Sequence, residues 1–342
     1  MNRLFYTLAK FSNPIPLSWI LALTRQNVVH PFYHTVSDRE LPHIKHLYQI
    51  RDTATFERDL DFLLAHFEPI SVNDYISLLE YKKSFKKPVF VLSFDDGLRE
   101  FHDTVAPILL RKGIPAICFV NSGFIDNKAL FYRYKVSLLI GKLMQQKHSS
   151  AQDQAVRNWF AELNLPSDRF AQSLLAISYD QRAELDKLAD ILGVDFDAFL
   201  RDQQPYLTTN QIVDLQQKGF SFGAHSIDHP RYAEIDLTEQ IRQTTVSVEA
   251  VSSAFGTPKR LFSFPFSDDR VGHLFFDTIF ASKSPIADFT FGCSGLKHDS
   301  VNRNIQRIPI EIGNHTAQEV IYGEQFYYLA KSFLNKNSIE RK

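Results

Sequence analysis

The chain has 342 residues, room for one large domain with an insertion or for two domains. Lys plus Arg total 38 and Asp plus Glu total 39, so no bulk charge draws it toward nucleic acid or anionic lipid. Its two cysteines, Cys118 and Cys293, exclude a disulfide framework and a cysteine-rich zinc site. Thirty Phe and thirteen Tyr predict an aromatic core, with some rings left to line a sugar or acyl pocket.

Residues 1 to 27 are predicted to hold one helix. The apolar run 15–23 is too short to span a bilayer. Pro14 and Pro16 break its start, and no small-residue cleavage site precedes Arg25, so it makes a poor signal peptide. The expectation is a cytoplasmic protein without a transmembrane segment; an amphipathic membrane contact by this helix is the lesser alternative.

Val28-Val29-His30-Pro31-Phe32-Tyr33-His34 reads as a short strand, with Pro31 suggesting an edge or a bulge. The stretch 41–51 reads as an exposed loop. Phe56, Leu60, Leu63, Leu64 and Phe67 recur at helical spacing behind Thr55, the expected N-cap. A second helix starts near Ser71, and the basic run 82–87 reads as a solvated connection.

The buried run Val89-Phe90-Val91-Leu92 delivers Ser93-Phe94-Asp95-Asp96-Gly97. A helix near 104–111 and the strand 116–120 follow, which makes a parallel βαβ unit. From about 127 to 205 the residues are helical in period, without strand candidates, and read as an insertion. Thr208 opens a capping box. The strand 220–224 then delivers His225-Ser226-Ile227-Asp228-His229, and further strands are predicted at 261–266, 288–292 and 307–311. Strands and helices alternate, and several strands end in ionisable turns. This predicts an α/β (β/α) barrel with its site at the carboxyl ends of the strands; an open doubly wound sheet is the competing architecture. No glycine-rich phosphate loop is present.

A carboxylate doublet at the end of a buried strand needs compensation, and a cation is one form of it. His225 and His229, four apart, can grip one ion from one side of a turn. If Asp96 is a ligand, Asp95 is left to deprotonate a water whose pKa on zinc falls to about 7. An amide leaving group also needs an acid. His34 is preferred for this, and His298 is the other candidate.

Together, Ser93-Phe94-Asp95-Asp96-Gly97 and His225-Ser226-Ile227-Asp228-His229 resemble the first two motifs of the polysaccharide deacetylase family (carbohydrate esterase family 4, the NodB-homology domain). The resemblance implies a distorted (β/α)7 barrel and metal-dependent removal of acetyl groups from N-acetylated sugar or polysaccharide. It makes Asp95 the base, Asp96, His225 and His229 the ligands of a divalent metal, zinc before others, and an acetylated carbohydrate the partner. Tyr33-His34 is similar to the circularly permuted branch that includes poly-N-acetylglucosamine deacetylases, which takes its acid from such a histidine. The family's third motif carries an arginine before a proline-aromatic pair. Here Phe262-Ser263-Phe264-Pro265-Phe266 has none. Two alternatives follow: a catalytically impaired carbohydrate-binding barrel, or a deacetylase of another acetamide or ester.

Overall fold

The computed structural model describes residues 3–10, 15–81, 85, 87–145, 149–281, 283–334 and 336–341. Its strands are short: β1 (Val28–Val29), β2 (Pro31–Tyr33), β3 (Glu68–Pro69), β4 (Val89–Phe90), β5 (Leu92–Phe94), β6 (Ala116–Val120), β7 (Ser221–Ala224), β8 (Leu261–Ser263), β9 (Phe289–Gly292), β10 (His298–Asp299), β11 (Asn304–Gln306), β12 (Ile308–Pro309) and β13 (Ser338–Ile339). Eight of them form one parallel sheet in the order β11-β9-β8-β7-β6-β5-β2-β12.

The two ends of that order are consecutive pieces of chain, separated only by Arg307. Because β11 pairs with β9 and β12 with β2, the sheet nearly closes into a barrel. Counted as one stave, 304–309 completes a distorted barrel of seven, as the motifs implied; an open doubly wound sheet would leave both edges unpaired. Pro31 is not at an edge. It opens β2, which lies between β5 and β12, and the first position of a strand tolerates its missing N–H.

Side chains alternate across each stave. One set packs outward beneath the helices: Phe90, Leu92, Phe94, Cys118, Val120, Phe222, Ala224 and Phe262 belong to the main hydrophobic core. The other set fills the inside: Val91, Ile117, Phe119, Leu261, Phe289, Phe291 and Ile305 form a separate cluster, against which Val72, Tyr75 and Ile76 pack. Gly223 makes this filling possible, since a Cβ there would lie 2.6 Å from the Phe119 ring. Two residues further along, the inward positions turn polar: His34 follows Phe32, Asp95 and Ser93 follow Val91, Asn121 follows Phe119, His225 follows Gly223, Ser263 follows Leu261, and Arg307 follows Ile305. The period of two thus sets an apolar layer inside the barrel and a polar layer above it.

The helices of this unit are α1 (Arg3–Ala9), α2 (Leu17–Thr24), α3 (Thr53–His66), α4 (Val72–Glu80) and α5 (Ala106–Lys112), and later Thr209–Gln217, Leu237–Phe255, His273–Ile279 and Ala317–Ser332. Where one N-terminal helix was expected there are two, and Pro16 caps the second, where a missing N–H is tolerated. Asp52, not Thr55, caps α3, its carboxylate accepting the Thr55 N–H at 2.6 Å. Part of the basic run, Lys82, Lys83, Ser84 and Lys86, lies outside the described residues.

The chain divides into two compact units: 1–38, 50–125 and 206–342 form the barrel, and 39–49 with 126–205 form the other. The second unit is helical, with α6 (Tyr132–Met144), α7 (Ser150–Glu162), α8 (Phe170–Leu175), α9 (Glu184–Leu192) and α10 (Phe196–Gln203) around buried Tyr134, Trp159, Leu185 and Leu188. The stretch 41–51 is not fully the exposed loop its His and Lys content suggested. Ile44 is buried, and the His43 ring packs edge-on against Tyr134 and Phe199. With no polar run to mark it, the burial of one Ile and one His among charges is invisible to composition.

Candidate active site

Asp95 and Asp96 leave β5 side by side yet do different things. Asp95 continues the inward alternation. Asp96 would face outward, but its φ of 71° and the 64° of Gly97 fold the chain back on itself. Gly97 is required there for space as well, because a Cβ would meet Val120 at 2.8 Å. Ser226 and His229 are also left-handed, at 68° and 61°, so the backbone is strained where the functional side chains gather.

That strain is held by hydrogen bonds. Asn121 at the end of β6 donates its amide to the His225 carbonyl and to Ser226 Oγ, the latter at 3.3 Å. Ser226 Oγ accepts the His229 N–H at 3.0 Å, and the Gln243 side chain takes the Ile227 N–H and donates to Asp228. The turn therefore presents both imidazoles to Asp96 as a fixed unit. His229 Nε2 lies 3.1 Å and His225 Nε2 3.4 Å from Asp96 Oδ1. One donor atom from each of the three, all buried, falls within 4.8 Å of the others.

This donor set fits a divalent cation. Ligands about 2.0–2.2 Å from a tetrahedral ion stand about 3.3–3.6 Å apart, close to the observed spacings. His225 Nδ1 donates to the Ser263 carbonyl at 2.8 Å, which leaves the Nε2 lone pair pointing at Asp96. Two imidazoles and one carboxylate suit zinc or a similar first-row ion better than calcium or magnesium. Burial alone would raise the Asp96 pKa, but His229, His225 and His34 hold it well below the usual carboxylate range. Burial lowers the His229 pKa, against the pull of Asp96. Both shifts favour the deprotonated forms a cation needs.

Arg307 is the residue that motif reading missed. It is 1 % exposed and donates to both oxygens of Asp95, at 2.8 and 2.7 Å, and to Ser93 and Ser263. Its guanidinium lies 4.3 Å from the Phe32 ring centroid and 5.3 Å from that of Phe119, so aromatic faces hold it flat. Burial would raise the Asp95 pKa, but Arg307 and His225 bring it below its ordinary value. The arginine absent from 262–266 is thus replaced by one from the stave that closes the barrel. Its signal in the sequence was an arginine opening a strand at 307–311, where a buried cation demands a carboxylate.

His34 stands on the other side of the doublet. Its Nδ1 is 2.6 Å from Glu311 Oε2, and Glu311 also accepts the His34 N–H. The imidazole is the accessible member of the group, 30 % exposed, whereas Glu311 is buried. Burial lowers the His34 pKa, but the Glu311 hydrogen bond and charge, then Asp96 and Asp95, push it up to about 9. His298 is elsewhere: it lies on β10, its Nε2 2.9 Å from the Tyr328 hydroxyl and 3.5 Å from the Gln26 amide.

A nearly closed parallel barrel thus carries, at the carboxyl ends of its staves, a buried Asp-His-His set, a separately held carboxylate and an accessible imidazole. The family described as polysaccharide deacetylase matches residues 82–273, more than half of the chain and including both motifs. The chain belongs to the polysaccharide deacetylase family. Among solved structures it is similar to Streptococcus pyogenes deacetylase PplD in complex with acetate (13% identity, TM-score 0.54), covering 87% of this chain and 97% of that one. It is also similar to IcaB from Ammonifex degensii (13%, 0.52, covering 87% and 97%) and to a de-N-acetylase from Aggregatibacter actinomycetemcomitans (15%, 0.50, covering 86% and 99%). At such identities the likeness is one of fold. No curated protein matches the chain. Among the described residues no helix is long and apolar enough to cross a membrane.

Proposed function

We propose that the protein is a metal-dependent deacetylase that removes acetyl groups from an N-acetylated sugar or polysaccharide. Family membership supports deacetylation of an acetylated polysaccharide. The observation that carries the finer reading is that two carboxylates in sequence have separate partners: Asp96 with His225 and His229, Asp95 with Arg307.

Asp96, His225 and His229 would hold the ion, which when bound supplies Lewis acidity and lowers the pKa of water, to about 7 on zinc. Asp95 is the general base. Arg307 takes one lone pair on each of its oxygens and the Ser263 hydroxyl can take a third at 3.4 Å; a carboxylate has about four, so one remains to take the proton of the attacking water. The oxygen of that water adds to the acetamide carbonyl carbon, the C–N bond breaks, and acetate leaves. His34 gives its proton to the departing amine nitrogen. Glu311 orients that imidazole and keeps it protonated at neutral pH. The amine and acetate are the products.

The impaired-barrel alternative rested on the missing arginine, and the Asp95–Arg307 pair supports the active reading over it. The test is acetate release. Zinc-loaded protein should liberate acetate and free amine from N-acetylglucosamine oligomers, and Asp95→Asn should lower the rate by about 10²–10⁴-fold. Release from simple acetamides but from no acetylated sugar would point to the other alternative.

A further inference from the structure

Helix α2, Leu-Ser-Trp-Ile-Leu-Ala-Leu-Thr, has no charged residue and is apolar on two faces. One face, with Leu17, Ile20 and Leu21, is buried in the core, and Thr24 donates to the Gln325 side chain. The other face carries Trp19, 72 % exposed, and Leu23, 70 % exposed, one helical turn apart, with Ile15 one turn before them. A helix apolar all round belongs in a core or against lipid, and an eight-residue helix is about 12 Å long, too short to span a bilayer. On Ala317–Ser332, the helix that packs against α2, the end carries two more exposed apolar side chains, Phe333 and Leu334.

The charge around this face is one-sided although the whole chain is near neutral. No Asp or Glu occurs before Asp38, and exposed Lys10 and Arg25 flank α2. Within Ala317–Ser332 the carboxylate next to α1, Glu324, is buried beneath the Tyr6 hydroxyl, and Lys331 and exposed Lys336 flank Phe333 and Leu334 in sequence, with Glu340 beyond them.

We propose that α2 docks the protein onto the surface of an anionic bilayer, with Trp19 and Leu23 inserted at the headgroup level and the flanking Lys and Arg over the lipid charges. A tryptophan with leucine on a short apolar face is suited to the interface, and the absence of acids selects anionic over neutral lipid. The contact would bring the deacetylase to polymer made or held at a membrane.

The chain has two tryptophans, and Trp159 is buried, so Trp19 reports its own surroundings. The full chain should cosediment with phosphatidylserine–phosphatidylcholine vesicles, with a blue shift of fluorescence and protection from acrylamide. Binding should weaken with salt and fall at least about tenfold in the Trp19→Ser/Leu23→Ser variant, whose helix content and acetate release stay unchanged. Equal binding to pure phosphatidylcholine, unchanged binding of the variant, or a Trp19 blue shift that follows protein concentration without lipid would each overturn the proposal, the last assigning the face to a second copy of the chain.

Discussion

Arg307 donates to both carboxylate oxygens of Asp95, and it does so from the single residue between β11 and β12, the two halves of the stave that closes the barrel. Closure of the sheet and placement of the base are therefore one structural event. A buried pair of this kind adds little net stability compared with an apolar replacement, but breaking it strands a charge. Its worth lies in a base that stays ionised and aimed.

Two substitutions separate these roles. Arg307→Ala leaves Asp95 buried without its cation and should destabilise the fold by about 3–5 kcal/mol, read as a lowered urea midpoint. Arg307→Lys keeps the charge but cannot make the fork to two oxygens. It should fold and bind zinc, and lose activity in acetate release. A fully active Arg307→Lys protein would mean that bidentate positioning is irrelevant.

Asp95→Asn should lower kcat by about 10²–10⁴-fold, the range of a positioned general base. Zinc content should remain at the wild-type level, because Asp96, His225 and His229 are intact. Loss of zinc together with activity would instead make Asp95 a ligand.

Asn121 touches neither Asp95 nor Asp96 among its hydrogen bonds, yet it holds the carbonyl of His225 and the hydroxyl of Ser226. Residues that orient ligands typically contribute 10- to 100-fold in metal affinity. Zinc titration of Asn121→Ala should show a weakening of about that size, with kcat of the saturated enzyme changed much less. An unaltered affinity would show that the strained turn holds itself.

The His34 pKa gives a stability test in metal-free protein. It is raised to about 9 from an ordinary value of 6.5, so the folded state binds the proton more tightly than the unfolded one. The stabilisation is fully present below about pH 6.5 and is lost as pH rises through about 9. The difference in Tm between chelated wild type and His34→Gln should be largest at pH 6 and shrink toward pH 9. A gap that widens with pH would mean that the imidazole is held neutral.

Much of this site was legible in the sequence because each motif ends a strand, and strands announce themselves by apolar runs. Asp95, Asp96, His225 and His229 stood out by local pattern, their proposed roles came from the family resemblance, and the fold brings Asp96, His225 and His229 together. His34 was favoured over His298 by its strand context, and it is His34 that lies beside the charges of Asp95 and Asp96. Arg307 and Glu311 were in view as parts of a strand, but their partners are 212 and 277 residues away in sequence. Such pairings depend on how the barrel closes, which no local period encodes. The stretch 41–51 was misread as an exposed loop for the same reason: His43 is buried against rings of helices that come later in the chain.

The most direct measurement is X-ray diffraction from zinc-soaked crystals at the zinc absorption edge. A single strong anomalous peak within bonding distance of Asp96, His225 and His229, with Asp95 turned to Arg307 and not to the ion, is the predicted result. An ion bound elsewhere, or an Asp96 carboxylate that stays with the two imidazoles and takes no metal at saturating zinc, would contradict the account.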